Sequence, residues 1–314
     1  MLFKPILIAI PVLLFGAGEW QSLGGPLFAS DLSVGWDGAS QVLTIYVADW
    51  YSWLFRFQGR GWDSMFTNTK TAHPTCVITS RLNAREVLIG RYGRRGMGMK
   101  STDGGYTWLI SDAGIKNRYP RCFVMHPESS QIIFLGCRSD DDHLADEIYK
   151  SKDGGYYWEM ASGGLPADNT VNDLAITTRG IKLLAATDDG VYYSFDGGAN
   201  WSQSNLTERS FAVAYGSEFI GYAGTENGLY KTTDGGVVWK KIGDFTSVKA
   251  IGVVRTDEVY IAAKGNKGRG IYQISDNDIS FLSNFSARRI QVGPEGRVFI
   301  LSDRGVYAYR SNER

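Results

Sequence analysis

The sequence predicts an all-β chain made of repeated four-stranded sheets, and three observations carry the prediction. An eight-residue pattern, [ST]-x-D-G-G-x-x-W, occurs four times, at residues 101–108, 151–158, 194–201 and 232–239. The copies start at 101, 151, 194 and 232, so they lie 50, 43 and 38 residues apart, a period that belongs to propellers and solenoids. Each copy follows short apolar runs with period-two alternation, the mark of strands. The chain also holds 38 glycines and 13% aromatic residues, as expected where many glycine turns punctuate aromatic and β-branched runs.

The pattern has its own chemistry. The carboxylates of Asp103, Asp153, Asp196 and Asp234 are placed to accept backbone N–H groups of their own turn. The pairs Gly104-Gly105, Gly154-Gly155, Gly197-Gly198 and Gly235-Gly236 permit the positive φ that a tight hairpin needs. The hydroxyls of Ser101, Ser151, Ser194 and Thr232 can bond back across the turn. Trp108, Trp158, Trp201 and Trp239 then open the next strand and offer a ring to pack between sheets. The motif therefore reads as a folding device, and no catalytic role is assigned to its aspartates.

These residues resemble the Asp-box, or BNR, repeat. Families that carry it include sialidases, sortilin-type receptors, xyloglucan hydrolases and photosystem II stability/assembly factor-like proteins. The resemblance extends over almost the whole chain after its N-terminal segment. It implies a β-propeller and is poorly specific for function, because function resides in sites and not in folds.

The units follow in order. In the first, residues 42–47 form a strand, and 55–62 look like a shortened box without its Asp. The second runs through 75–78 and 86–90 into the box at Ser101. The third has strands at 121–125, 132–136 and 147–151. The fourth is the clearest, with strands at 171–177, 182–187 and 190–194 before its box. The fifth has strands at 210–215, 220–224 and 228–232. The sixth keeps Asp276 but has Asn277-Asp278 for Gly-Gly and Phe281 in the Trp position. The seventh supplies three strands, at 289–292, 297–301 and 306–309, and then the chain ends.

The missing strand stands at the other end of the chain. Residues 19–27 (EWQSLGGPL) resemble 158–166 (WEMASGGLP), a fourth strand with its exit loop. Trp20 is thus expected to complete the last blade and close a single seven-bladed propeller spanning 19–314. Such a clasp removes the exposed edges of an open ring. Residues 1–18 read as a signal peptide or an uncleaved membrane anchor: Lys4, an apolar run at 6–15, and small residues at 16–18, short for a span of about 20 residues. The expected location is periplasmic or otherwise extracytoplasmic.

With 33 basic and 33 acidic residues, the balance argues against general nucleic-acid binding. Cys76, Cys122 and Cys137 are an odd set, not a disulfide framework. A bridge between Cys122 and Cys137 is geometrically open, while buried thiols are the simpler reading. No His-Glu-x-x-His, Gly-x-Ser-x-Gly, phosphate-binding loop or Cys-x-x-Cys occurs. His73, His126 and His143 are scattered. Asp140–Asp142 with Glu147 and His143 form a charged loop that makes a weak cation or glycosidase candidate. The sequons at Asn200, Asn205 and Asn284 read as incidental. No cofactor and no metal are expected.

Ligands of propellers usually meet the face opposite the box turns. The candidates there are Arg91, Tyr92, Arg94, Arg95, Arg118, Arg121, Lys264, Lys267, Arg269, Arg288 and Arg289. They define a basic arc, with Asp140–Asp142, Asp188 and Asp189 as an acidic one. A charge-split face suits oriented docking to another protein. Size, single ring, exported N-terminus and arginine-rich face look most like the photosystem II assembly factor-like group. That likeness implies a non-catalytic accessory or assembly subunit docking on a membrane protein complex. The alternative is a glycan-binding or glycoside-hydrolysing, sialidase-like propeller.

Overall fold

The computed structural model describes residues 18–310 except 39, 41, 52, 67–71, 94–96, 117–118, 139–147 and 277. The apolar N-terminal segment, Arg94, Arg95, Arg118 and the 140–147 loop with Asp140–Asp142 and His143 lie outside the described residues.

Among the described residues twenty-eight strands form seven four-stranded antiparallel sheets. The first strand among the described residues, β1 (Trp20–Gly24), belongs to blade 7. Blade 1 holds β2 (Ala29–Asp37), β3 (Val42–Asp49), β4 (Trp53–Phe57) and β5 (Trp62–Phe66). Blade 2 holds β6 (His73–Thr79), β7 (Val87–Tyr92), β8 (Gly98–Ser101) and β9 (Leu109–Ile110). Blade 3 holds β10 (Pro120–His126), β11 (Ser129–Cys137), β12 (Ile148–Ser151) and β13 (Glu159–Met160). Blade 4 holds β14 (Val171–Ile176), β15 (Leu183–Thr187), β16 (Gly190–Ser194) and β17 (Ser202–Gln203). Blade 5 holds β18 (Ser210–Tyr215), β19 (Gly221–Thr225), β20 (Leu229–Thr232) and β21 (Trp239–Ile242). Blade 6 holds β22 (Thr246–Arg255), β23 (Glu258–Gly265), β24 (Gly268–Ser275) and β25 (Asp278–Ser283). Blade 7 continues with β26 (Ala287–Val292), β27 (Val298–Ser302) and β28 (Gly305–Tyr309). The order within each blade follows the sequence, and blade 7 reads β26, β27, β28, β1.

The core lies between blades. Second strands are covered on both faces, so β15 and β19 are buried at every position. That is why these segments read as apolar or small throughout and not as alternating. Tyr46, Ala48, Val77, Val87 and Ile89 fill the joint between blades 1 and 2. Each buried large side chain contributes about 1.5–3 kcal/mol.

The box works as its chemistry predicts. Asp196 accepts from Ser194 Oγ at 2.8 Å and from the N–H groups of Ala199 and Asn200, both at 3.0 Å. Ser194 Oγ in turn accepts the Gly198 N–H at 3.0 Å. Gly197 and Gly198 adopt φ of 72° and 86°, which a Cβ would strain. Trp158 Nε1 then donates to Ser111 O of the preceding blade at 3.0 Å, and Trp201 Nε1 to Ala161 O at 2.8 Å.

The two degenerate units also form blades. Trp62 Nε1 donates to Leu23 O of blade 7 at 2.8 Å, the same cap without an Asp in the turn. In blade 6 Ser275 pairs with Asp278 and Asp276 takes a φ of 51°. The chain reverses there too tightly to form a box. The ring closes through Trp20 opposite Tyr309 and Ser22 opposite Tyr307. Trp20 packs on Tyr309 and Phe285, with centroids 4.8 and 6.0 Å away. The thiols are unbridged: Cys122 lies opposite Gly136 and Cys137 opposite Pro120, so a strand bulge sets the two sulfurs out of register.

Candidate functional site

The innermost strand of each blade starts on the face away from the boxes, and each departs from register near its start. The bulged position turns an extra residue toward the axis. It is Ser30, Thr75, Arg121, Asn172, Phe211, Lys249 and Arg288 in blades 1 to 7, and all seven line one central funnel of about 900 Å³. Trp50, Tyr92, Tyr119, Arg138, Arg209 and Glu226 raise its wall.

One layer down, the funnel is floored. Arg289 Nε donates to Asp31 Oδ1 at 2.7 Å and its Nη1 to Asp173 Oδ1 at 2.9 Å. The two carboxylates also accept backbone N–H groups of the following blades, Val77 at 2.9 Å and Val213 at 3.2 Å. Five blades therefore meet at one guanidinium. Burial pushes the Asp173 carboxyl up while Arg289 pulls it down. Burial works against the Arg289 charge too, but Asp31 and Asp173 outweigh it and hold its pKa well above the ordinary value.

Over the whole funnel, floor included, positive charge is in surplus. Arg121, Arg138, Arg209, Lys249, Arg288 and Arg289 line the funnel against Asp31 and Glu226. Burial lowers the pKa of Arg121, and the neighbouring Arg138 and Arg289 add to it. Burial likewise lowers Lys249, with Arg209 and Arg269 adding to it and Glu226 opposing. Crowded cations of this kind are relieved by an anion.

The wall between blades 1 and 3 is aromatic. Trp50 stacks on His73 at 4.8 Å and 9°, and Tyr92 stacks on Tyr119 at 4.5 Å and 21°. The two pairs are linked by Trp50 and Tyr92 at 6.3 Å. Leu27, Phe28 and Tyr51 add an exposed apolar lip beside Trp50. On the blade 4 side of the funnel, Asn172 is 7% exposed and donates to Asp188 and Ser210 O, while its Oδ1 has no partner among the described residues. A buried, unsatisfied carbonyl oxygen is a place for a ligand N–H.

Several sequence candidates converge here. Tyr92, Arg121, Arg288 and Arg289 all line the funnel. Lys264, Lys267 and Arg269 are exposed on the β23–β24 hairpin of the same face, outside the funnel lining. Arg91 belongs elsewhere: it is 1% exposed, inside β7, and burial lowers its pKa to about 10. It sits in a polar-looking run, but strand pairing carries it into the sheet. The expected split into basic and acidic arcs is not seen among the described residues. Arg121 and Arg138 of blade 3 are basic, and Asp188 of blade 4 is paired with Arg209 at 3.0 Å. Arg138, Arg209, Lys249, Trp50, Tyr119 and Asn172 were not anticipated. The usable signal was positional: Arg121, Lys249 and Arg288 occupy the same place at the head of three first strands. Among the described residues no group of three or more His, Cys, Asp or Glu is placed to hold a metal.

The BNR/Asp-box repeat model matches residues 192–203. None of the curated proteins matches the sequence. Many solved structures share the fold. One is described as YCF48 bound to D1 peptide, with 14% identity, a TM-score of 0.68, and coverage of 97% of this chain and 100% of that one. Another is an ancestral GH74 enzyme, with 16% identity and a TM-score of 0.70 over 95% of this chain and 47% of that longer one. A streptogramin B lyase gives 14% identity and a TM-score of 0.67 over 92% and 96%. At such identities the likeness is one of fold, shared by a peptide-binding protein and by enzymes alike.

Proposed function

We propose that this Asp-box propeller is a non-catalytic docking module whose central funnel receives an anionic, extended segment of a partner protein. The observation that carries the proposal is the cation surplus around the funnel, set beside an aromatic wall and the unpartnered Asn172 oxygen. Cations take a carboxylate or acidic side chains, the Trp50–Tyr92–Tyr119 wall takes apolar groups, and Asn172 takes a backbone N–H. The fold neighbour bound to D1 peptide supports a polypeptide ligand. We further propose that the chain is exported by its N-terminal segment and serves a membrane protein complex from the extracytoplasmic side.

Glycan hydrolysis is the rival reading, with the GH74 neighbour behind it. It needs a carboxylate pair across a cleft or a Tyr/Glu nucleophile. Asp31 and Asp173 are both committed to Arg289, and the Tyr92 hydroxyl faces that of Tyr119 at 3.3 Å. Docking is thus favoured. The test is titration of acidic and neutral peptides, and of sialosides, into the full chain and into Arg121→Glu. Docking predicts binding of acidic peptides only, at least about tenfold weaker in the variant, the equivalent of about 1.4 kcal/mol. Saturable sialoside binding with turnover would establish the rival.

A further inference from the structure

On the box face, the boxes of blades 2 to 5 sit in a seat on the preceding blade. A Cβ on the second glycine would meet Met65 in blade 1, Leu88 in blade 2, Phe134 in blade 3 or Leu184 in blade 4. Leu88, Phe134 and Leu184 occupy one register position, opposite Lys100, Lys150 and Tyr193. A cation of the same preceding blade reaches the turn. Arg56 Nη1 donates to Gly104 O at 3.0 Å, and Lys150 Nζ to Gly197 O at 2.7 Å. Lys100 and Lys182 lie against Gly154 and Gly235, where an added Cβ would meet each Nζ at 2.8 and 3.3 Å.

Blade 5 carries the same seat. Tyr222 stands opposite Lys231, in register with the pairs above. Blade 6, however, has no box to place on it, since its hairpin turns at Asp276. A cleft of about 460 Å³ is left between the blades. Tyr222, Ile242, Phe245 and Ile279 make its apolar part, and Asp257 and Asp276 stand at its rim. The Lys231 ammonium lies over the Tyr222 ring at 5.6 Å and has no hydrogen bond or ion pair among the described residues. The neighbouring joint, from blade 6 to blade 7, also lacks a box but is filled by Trp20 and Tyr309 against Phe285 and Tyr260.

We infer that the blade 5–6 cleft, which shares no lining residue with the funnel, is a second binding site for a tight turn of a partner protein. The occupant presents a backbone carbonyl to Lys231 and an apolar side chain to Tyr222, Phe245 and Ile279. The fold supplies the precedent four times over, because a glycine turn on an apolar seat beside a preceding-blade cation is how its own boxes dock. A partner that inserts such a turn completes the joint in the way a box does.

The test uses a backbone-cyclised hairpin carrying residues 194–201, titrated into the full chain by calorimetry. Two variants accompany it. Lys231→Met keeps the aliphatic stem and removes the donor. In the second, the blade 6 turn is replaced by the blade 4 box, so that the chain fills its own seat. We expect saturable binding to the wild type, at least about fivefold weaker binding to Lys231→Met, none to the grafted chain, and a higher Tm for the graft. No saturable binding, or equal binding by all three proteins, overturns the proposal. Concentration-dependent dimerisation that the graft abolishes also overturns it, by giving the seat to a second copy. Arg121→Glu, which addresses the funnel, should leave hairpin binding unchanged.

Discussion

Arg289 in blade 7 and Asp173 in blade 4 are joined at 2.9 Å across the axis of the ring. They are 116 residues apart in the chain, and the bond acts as a spoke between opposite sides of the propeller. With Asp31 it closes the floor of the funnel.

Arg289→Met should therefore destabilise the fold by about 3–5 kcal/mol at neutral pH, because two buried carboxylates lose their cation. In that variant Asp173, which burial already raises, loses the cation that opposes the rise. The deficit should be full above its folded pKa and shrink as pH falls through that value. Arg289→Met combined with Asp173→Asn should recover part of the loss. Chemical denaturation at pH 5 and pH 7 checks both expectations.

The boxes give the opposite pH sign. Asp196 is held at about 2 by the Asn200 backbone N–H, then its side chain and Ser194, against an ordinary value of 3.8. Asp103 is also near 2: burial raises it, but Thr107, Ser101 and Tyr106 together outweigh that. Depressed folded values contribute stability above pH 3.8 that is lost as pH falls toward 2. Asp196→Asn should flatten that part of the acid-unfolding curve, read by circular dichroism. Asp196→Ala should cost about 1–2 kcal/mol at neutral pH, by analogy with the loss of a helix cap.

Removal of residues 19–24 takes away β1 and Trp20, leaving β28 as an open edge. The melting temperature should drop sharply, and the truncated chain should associate at concentrations where the full one does not. Scanning calorimetry with light scattering reads both.

The blades were legible because their signals are local. The box at Ser194 folds through bonds to residues no more than four positions away. Ring closure was legible because Trp20 begins a sequence like that following Trp158. The funnel was harder, since seven strand heads spread between residues 30 and 288 converge on it. Arg209 and Lys249 are isolated cations in the sequence, and only the fold brings them beside Arg121 and Arg288. Arg289 looked like one more docking cation, yet its partners stand 258 and 116 residues away. Arg91 is the reverse case: its charged neighbours in sequence point to the surface, yet it is buried in β7.

The central claim, that the funnel docks an acidic protein segment, is tested most directly by quantitative co-purification from native membranes in mild detergent. The baits are the wild type and an Arg121→Glu/Arg288→Glu variant of equal Tm. The account predicts one membrane protein held in stoichiometric amount by the wild type and lost from the double variant, with wild-type recovery falling as salt rises. A wild type that comes out alone, or a partner retained equally by both baits, would contradict it.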